Sequence, residues 1–257
     1  MRHPEREIDR PERVPDIAEL GGGGRQEYRG RDRSYRLSDQ ELVTLRTVGT
    51  FRTVNAKDVP EDEAKHLVSS GLMQRSMVPR SDWTSLDVLV LSREGERVLR
   101  DQQPLGDEQR FHSGLVKPNE LEHDTAIYPA YLEAAEAIER AGGTVERVVL
   151  DYELKSVINS EMNRGGSVSG EARDERRAKL AKELDLEIVE GKLPLPDLRI
   201  EYIDENGERH HQDLEIVSRH YHGAHLAGKS AAGFSMVRAG GSKSGGAVPD
   251  TRRKGFR

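Results

Sequence analysis

Residues 196–217, PDLRIEYIDENGERHHQDLEIV, read as two strands folded about a turn. Leu198 and Ile200 alternate with polar residues before the turn, Leu214 and Ile216 do so after it, and the Asn206-Gly207 pair between them is a strong hairpin signal. Antiparallel pairing about that turn brings Asp197 beside Glu215, both on the face opposite those apolar side chains. Two neighbouring carboxylates repel. Mg²⁺ or Mn²⁺ would relieve the repulsion and could polarise a phosphodiester or activate water there. The alternative is a pair of ordinary charges on a solvated face.

On the amino-terminal side, ELEHDTAIYPAYLEAAEAIERAGG is an amphipathic helix with Asn119 as a cap and an end at Gly142 and Gly143. Pro129 lies inside the pattern and is expected to kink or divide it. TVERVVLDYEL reads as a strand that carries Asp151 and Glu153 on one face. They are either further ligands or a salt-bridged end with Lys155. NRGGSVSGEARDERR is expected to be mobile and to lead into the helix ERRAKLAKELDLEI. Beyond the hairpin, HGAHLAGKSAAGFSMVR reads as a helix and a short strand, with Lys229 on the helix.

A second pattern occupies residues 37–102. Ser38 with Glu41 three residues on forms a capping box, and Leu42, Leu45 and Val48 follow on one face. One or two helical turns fit Ala56 to Val59. EDEAKHLVSSGLMQR then sets Ala64, Leu67 and Val68 on a stripe that ends at Gly71. SMVPR and SLDVLVLS make a two-stranded hairpin around Ser81 to Ser85, and SREGERVLRDQ closes the unit as a helix.

Composition bounds the whole. The chain has 257 residues, 33% of them charged, which suits two modest cores better than one large one. With no cysteine it has no disulfide, thiolate zinc site or cysteine nucleophile. Neither a membrane span nor a signal peptide is expected, so a cytoplasmic protein without a membrane partner is. Residues 1–36 alternate charges around Pro and a glycine run and are expected to be a disordered tail. Residues 103–118 read as a linker. Net charge is −6, but residues 239–257 form a flexible basic tail where Arg252, Arg253 and Lys254 can meet phosphate, or merely keep the chain soluble.

The order of short helices, the GLMQR phrase, the hairpin and the closing LSREGERVL resembles the winged-helix family of bacterial regulators. Glu61, Asp62 and Glu63 depart from it, standing where a groove-reading helix meets phosphate and bases; protein contact is the competing use. Pro196-Asp197 followed by Glu215-Ile216-Val217 is similar to the PD-(D/E)XK nuclease superfamily. That resemblance implies metal binding by the Asp and Glu and a lysine that stabilises charge on phosphate. Val217 stands at the lysine position, and Lys229 is the nearest replacement. Both halves together, with His123-Asp124 on a helix, look like the replication-relaxation family of mobile elements, which implies DNA as partner. The expected fold is thus α+β or α/β. An amino-terminal winged helix-turn-helix (37–102) precedes a small α/β, restriction-endonuclease-like domain (119–238), with disordered tails.

The residues expected to carry chemistry are Asp197, Glu215 and Lys229. Glu122 or Glu153 would complete the metal shell, and His123, Asp124 and Asp151 are secondary candidates. His123 and Asp124 also read simply as a hydrogen-bonding pair at a helix start. Arg219, His220 and His222 with Lys229 make a polar surface for phosphate. The alternative there is zinc on His222 and His225 with Glu215. No organic cofactor is expected, and a homodimer or a replication or transfer complex is. Two functional classes stay open: a metal-dependent endonuclease or nickase, and a non-catalytic DNA-binding regulator or accessory factor on a nuclease-like scaffold. A module for protein interaction is a third, favoured by the acidic net charge.

Overall fold

The computed structural model describes residues 24–80, 83–104, 106–118, 120–164, 170–217 and 223–238. Among them lie seven α-helices and three small sheets, and the chain divides into two compact units, Met1–Pro118 and Asn119–Arg257. No helix of the described residues is long and apolar enough to cross a membrane.

The first unit begins where no order was expected. Strands β1 (Gln26–Arg29) and β2 (Ser34–Leu37) pair antiparallel. Charged residues alternate here with Tyr28, Tyr35 and Leu37, which are buried. Three large apolar side chains, drawn to the helices beneath them, suffice for a hairpin that the surrounding charge disguises. Helix α1 (Asp39–Thr50) follows with the capping box in place: the Glu41 amide donates to Ser38 Oγ at 3.2 Å and the Ser38 amide donates to Glu41 Oε2 at 2.8 Å. Strand β3 (Val54–Asn55), a 3-10 turn (Ala56–Asp58) and helix α2 (Glu61–Ser69) come next. Gly71, at φ 79°, turns the chain out of α2.

Strands β4 (Met73–Pro79) and β5 (Ser85–Leu91) form a long hairpin, and β3 adds to β5, giving the order β3-β5-β4. Helix α3 (Arg93–Asp101) starts at Ser92, whose Oγ accepts the Gly95 amide at 3.0 Å. Gly95 is required by contact: a Cβ there would stand 2.2 Å from the Leu72 carbonyl oxygen, a backbone atom that cannot step aside. The segment read as a linker packs instead on this unit. Phe111 is buried, the His112 amide donates to the Gly49 carbonyl and Gly114 to that of Leu91, both at 2.9 Å. One aromatic side chain is enough to fasten an otherwise polar stretch.

The second unit is a four-stranded sheet with helices. Helix α4 (Leu121–Arg140) runs undivided through Pro129, so the expected division does not occur. Proline removes one bond, to the Thr125 carbonyl, while Ile127 and Ala130 on either side keep the helix buried. Asn119 lies outside the described residues. Strand β6 (Thr144–Leu150) ends one residue before Asp151, where helix α5 (Asp151–Asn163) starts. Asp151 and Glu153 therefore sit in a helical first turn and not on a strand, a placement favoured by the helix dipole. Helix α6 (Glu171–Glu183), strands β7 (Leu198–Ile203) and β8 (Arg209–Val217), helix α7 (Gly223–Ala231) and strand β9 (Ser235–Arg238) complete it. The order is β6-β7-β8-β9, with β8 and β9 parallel and the other pairs antiparallel. The 165–169 part of the stretch expected to be mobile lies outside the described residues.

Candidate functional site

The β7–β8 hairpin sets the site. Asp204 organises its loop by accepting the Asn206 and Glu208 amides at 2.9 and 2.8 Å, and Gly207 takes φ 83°. The resulting register pairs Leu198 with Leu214, so the next residue outward on each strand is Asp197 or Glu215. The Asp197 amide donates to the Leu214 carbonyl at 3.0 Å, and Asp197 Oδ2 accepts the Ile216 amide at 2.8 Å. The carboxylate pair lies opposite the Leu198 and Leu214 face, yet it is not solvated: Asp197 is 8% exposed and Glu215 0%. The reading of a solvated charged face is thereby corrected. Helix α4 packs against β7 and β8.

Buried carboxylates need partners, and each has a cation from a helix. Lys229, on α7, places its amine 2.7 Å from Glu215 Oε2 and donates to the Leu195 carbonyl at 2.6 Å. His123, on α4, places Nε2 3.1 Å from Asp197 Oδ2 and Nδ1 3.5 Å from Asp124 Oδ1. The two carboxylates flanking the imidazole, Asp124 foremost, outweigh its burial and push its pKa up to about 10. Burial would raise the Asp197 carboxyl. The His123 hydrogen bond and charge, the Ile216 amide and the Lys229 ammonium together overcome that and hold it below the usual carboxylate range.

The side chains of the remaining candidates have other partners or lie outside the described residues. Glu153 is buried, 3.5 Å from Arg147 and accepting the Leu150 amide, while Asp151 pairs with Lys155 and donates its own amide to the Asp197 carbonyl. Glu122 is exposed on α4. Among the described residues no group of three or more His, Asp or Glu is arranged to hold a metal ion. Arg219, His220 and His222, the His225 side chain, and Arg252, Arg253 and Lys254 lie outside the described residues. Val217, where the motif has lysine, ends β8 opposite Arg238.

Sequence reasoning named Asp197, Glu215, Lys229 and His123 but not the way they pair. The Leu195 carbonyl was missed, because a backbone acceptor leaves no mark in side-chain patterns. No protein family, curated protein or solved structure matches this chain.

Proposed function

We propose that this is a DNA-binding protein of plasmid or mobile-element replication or transfer, with an amino-terminal winged helix that holds duplex DNA and a nuclease-like carboxy-terminal unit that cuts or nicks it. The observation that carries the reading is the meeting of Asp197 and Glu215 across neighbouring strands, with Lys229 of the next helix reaching Glu215. A helix, a hairpin and a flanking helix occur in that order in this unit, as the nuclease resemblance implies, with β6, α5 and α6 between the first helix and the hairpin.

Mg²⁺ or Mn²⁺ suits the donors present. Asp197, Glu215 and the Leu195 carbonyl are all oxygen, and Mg²⁺ keeps several waters, so one or two carboxylates are enough to hold it without a closed protein cage. The ion supplies Lewis-acid polarisation of the phosphodiester and an activated water. Lys229 brings a positive charge to the place where negative charge grows on phosphate. Asp197 is kept ionised by the groups around it.

A non-catalytic accessory role is the second reading. Both carboxylates already have a protein cation, His123 or Lys229, and Val217 replaces the expected lysine. Supercoiled plasmid incubated with Mg²⁺ or Mn²⁺ separates the two. Nicking that disappears in Asp197→Ala and Glu215→Ala, with a rate loss of about 10²-fold or more, is the expected result. DNA binding without cleavage in the intact chain would leave the accessory role standing.

A further inference from the structure

We propose that His123 is a built-in occupant of the cation site: it holds the Asp197 oxygen that a divalent ion would take, and the ion binds by displacing it. This inference rests on the metal-dependent reading above.

Asp197 Oδ2 receives two donors, the Ile216 amide at 2.8 Å and His123 Nε2 at 3.1 Å. The amide belongs to β8 and cannot leave without unzipping the hairpin. The imidazole can: it hangs from α4 with 31% of its side chain exposed, so a change of side-chain rotamer carries it away from Asp197 with the strands left in place. Its other nitrogen is 3.5 Å from Asp124, a buried carboxylate of the same helix. A carboxylate oxygen only accepts, so Nε2 is the donor to Asp197 and in this position has no lone pair to give a metal. In this position His123 competes with the ion for one oxygen and is not a ligand to it. Glu215 differs, because its ammonium partner is also held by the Leu195 carbonyl and by the face of Phe234, 5.7 Å from the ring centroid. The two carboxylates are thus held unequally, and Asp197 is the one whose cation can be exchanged.

The test is binding of Mn²⁺ alone to the full chain at neutral pH and fixed ionic strength, read as loss of the free-ion electron paramagnetic resonance signal. The proteins are the unmodified chain, His123→Ala and His123→Gln, each confirmed folded by far-ultraviolet circular dichroism. The glutamine keeps a neutral N–H donor to Asp197, which guards against a variant that fails to fold. Removing the donor that occupies Asp197 Oδ2 should tighten binding about tenfold in His123→Ala, with His123→Gln between it and the unmodified chain. Equal or tighter binding by the unmodified chain would overturn the inference and leave the metal site intact. No Mn²⁺ binding by any of the three would overturn the inference together with the metal-dependent reading.

Discussion

Each unit carries a bidentate arginine–aspartate fork on its sheet, and these two forks have nearly the same geometry. In the first unit Arg75 Nε and Nη2 meet Asp87 at 3.0 and 2.6 Å; in the second Arg199 Nε and Nη2 meet Asp213 at 2.7 and 2.8 Å. Water separates them. The Arg75 and Asp87 side chains are 33% and 28% exposed, those of Arg199 and Asp213 only 6% and 9%. Arg199 also donates to the Leu184 and Asp185 carbonyls, whereas Arg75 turns its remaining donor to Glu61. Distance alone therefore says little about what an ion pair contributes. Among its described residues the first unit buries hydroxyls and a single carboxylate, Glu41, which caps a helix and pairs with Arg25. Among the described residues the second buries Asp124, Glu153, Asp197, Arg199 and Glu215. So much buried charge is a poor way to stabilise a small domain, and it is what sets the second unit apart from the first.

The largest expected effect comes from Arg199→Ala, which leaves Asp213 buried without its fork. Urea unfolding of the full chain should show a loss of about 3–5 kcal/mol; a loss under about 1 kcal/mol would erase the contrast between the forks. Arg199→Lys keeps the charge but not the planar fork, and should fall between, at about 1–3 kcal/mol. Arg75→Ala should lose about 1 kcal/mol or less in the same measurement, since the pair is partly hydrated, and that loss should shrink further with added salt.

The smallest expected effects separate the units by pH. His112, in the first unit, is kept neutral chiefly by burial and also by Arg52, with a pKa pushed down to about 4. The unfolded chain takes up this proton near pH 6.5 and the folded chain does not. Stability from this group should therefore fall as pH drops from about 6.5 to about 4. His123, in the second unit, is raised to about 10. Its contribution is fully present below about pH 6.5 and is lost as pH rises from there through about 10. Thermal melts of His112→Gln and His123→Gln across pH 4–10 check both signs: the first variant should be less sensitive to acid, the second to alkali. Identical profiles for the two would show that the histidines do not feel the surroundings described.

Short-range signals carried much of the fold. The Ser38 and Glu41 capping box, the hairpin of β4 and β5, the Gly71 helix end and the Asn206-Gly207 hairpin all stand as read, because each depends on residues a few positions apart. The misreadings share a cause as well. Tyr28 and Tyr35 look isolated among arginines, and Phe111 among polar residues, until the surface that covers them exists. Asp151 and Glu153 continue an apolar strand pattern, and only the end of pairing with β7 at Leu150 shows that the chain has turned into a helix.

For the candidate site the division is sharper. That Asp197 and Glu215 are neighbours was determined by the sequence alone: alternation of side chains and one turn set the register, and register is a local property. That both are buried, that His123 answers one and Lys229 the other, and that Glu153 belongs to Arg147 were decided only by the tertiary structure. Those contacts join helices and strands far apart in the chain. They follow from how α4 and α7 pack on the sheet, which no spacing between residues encodes.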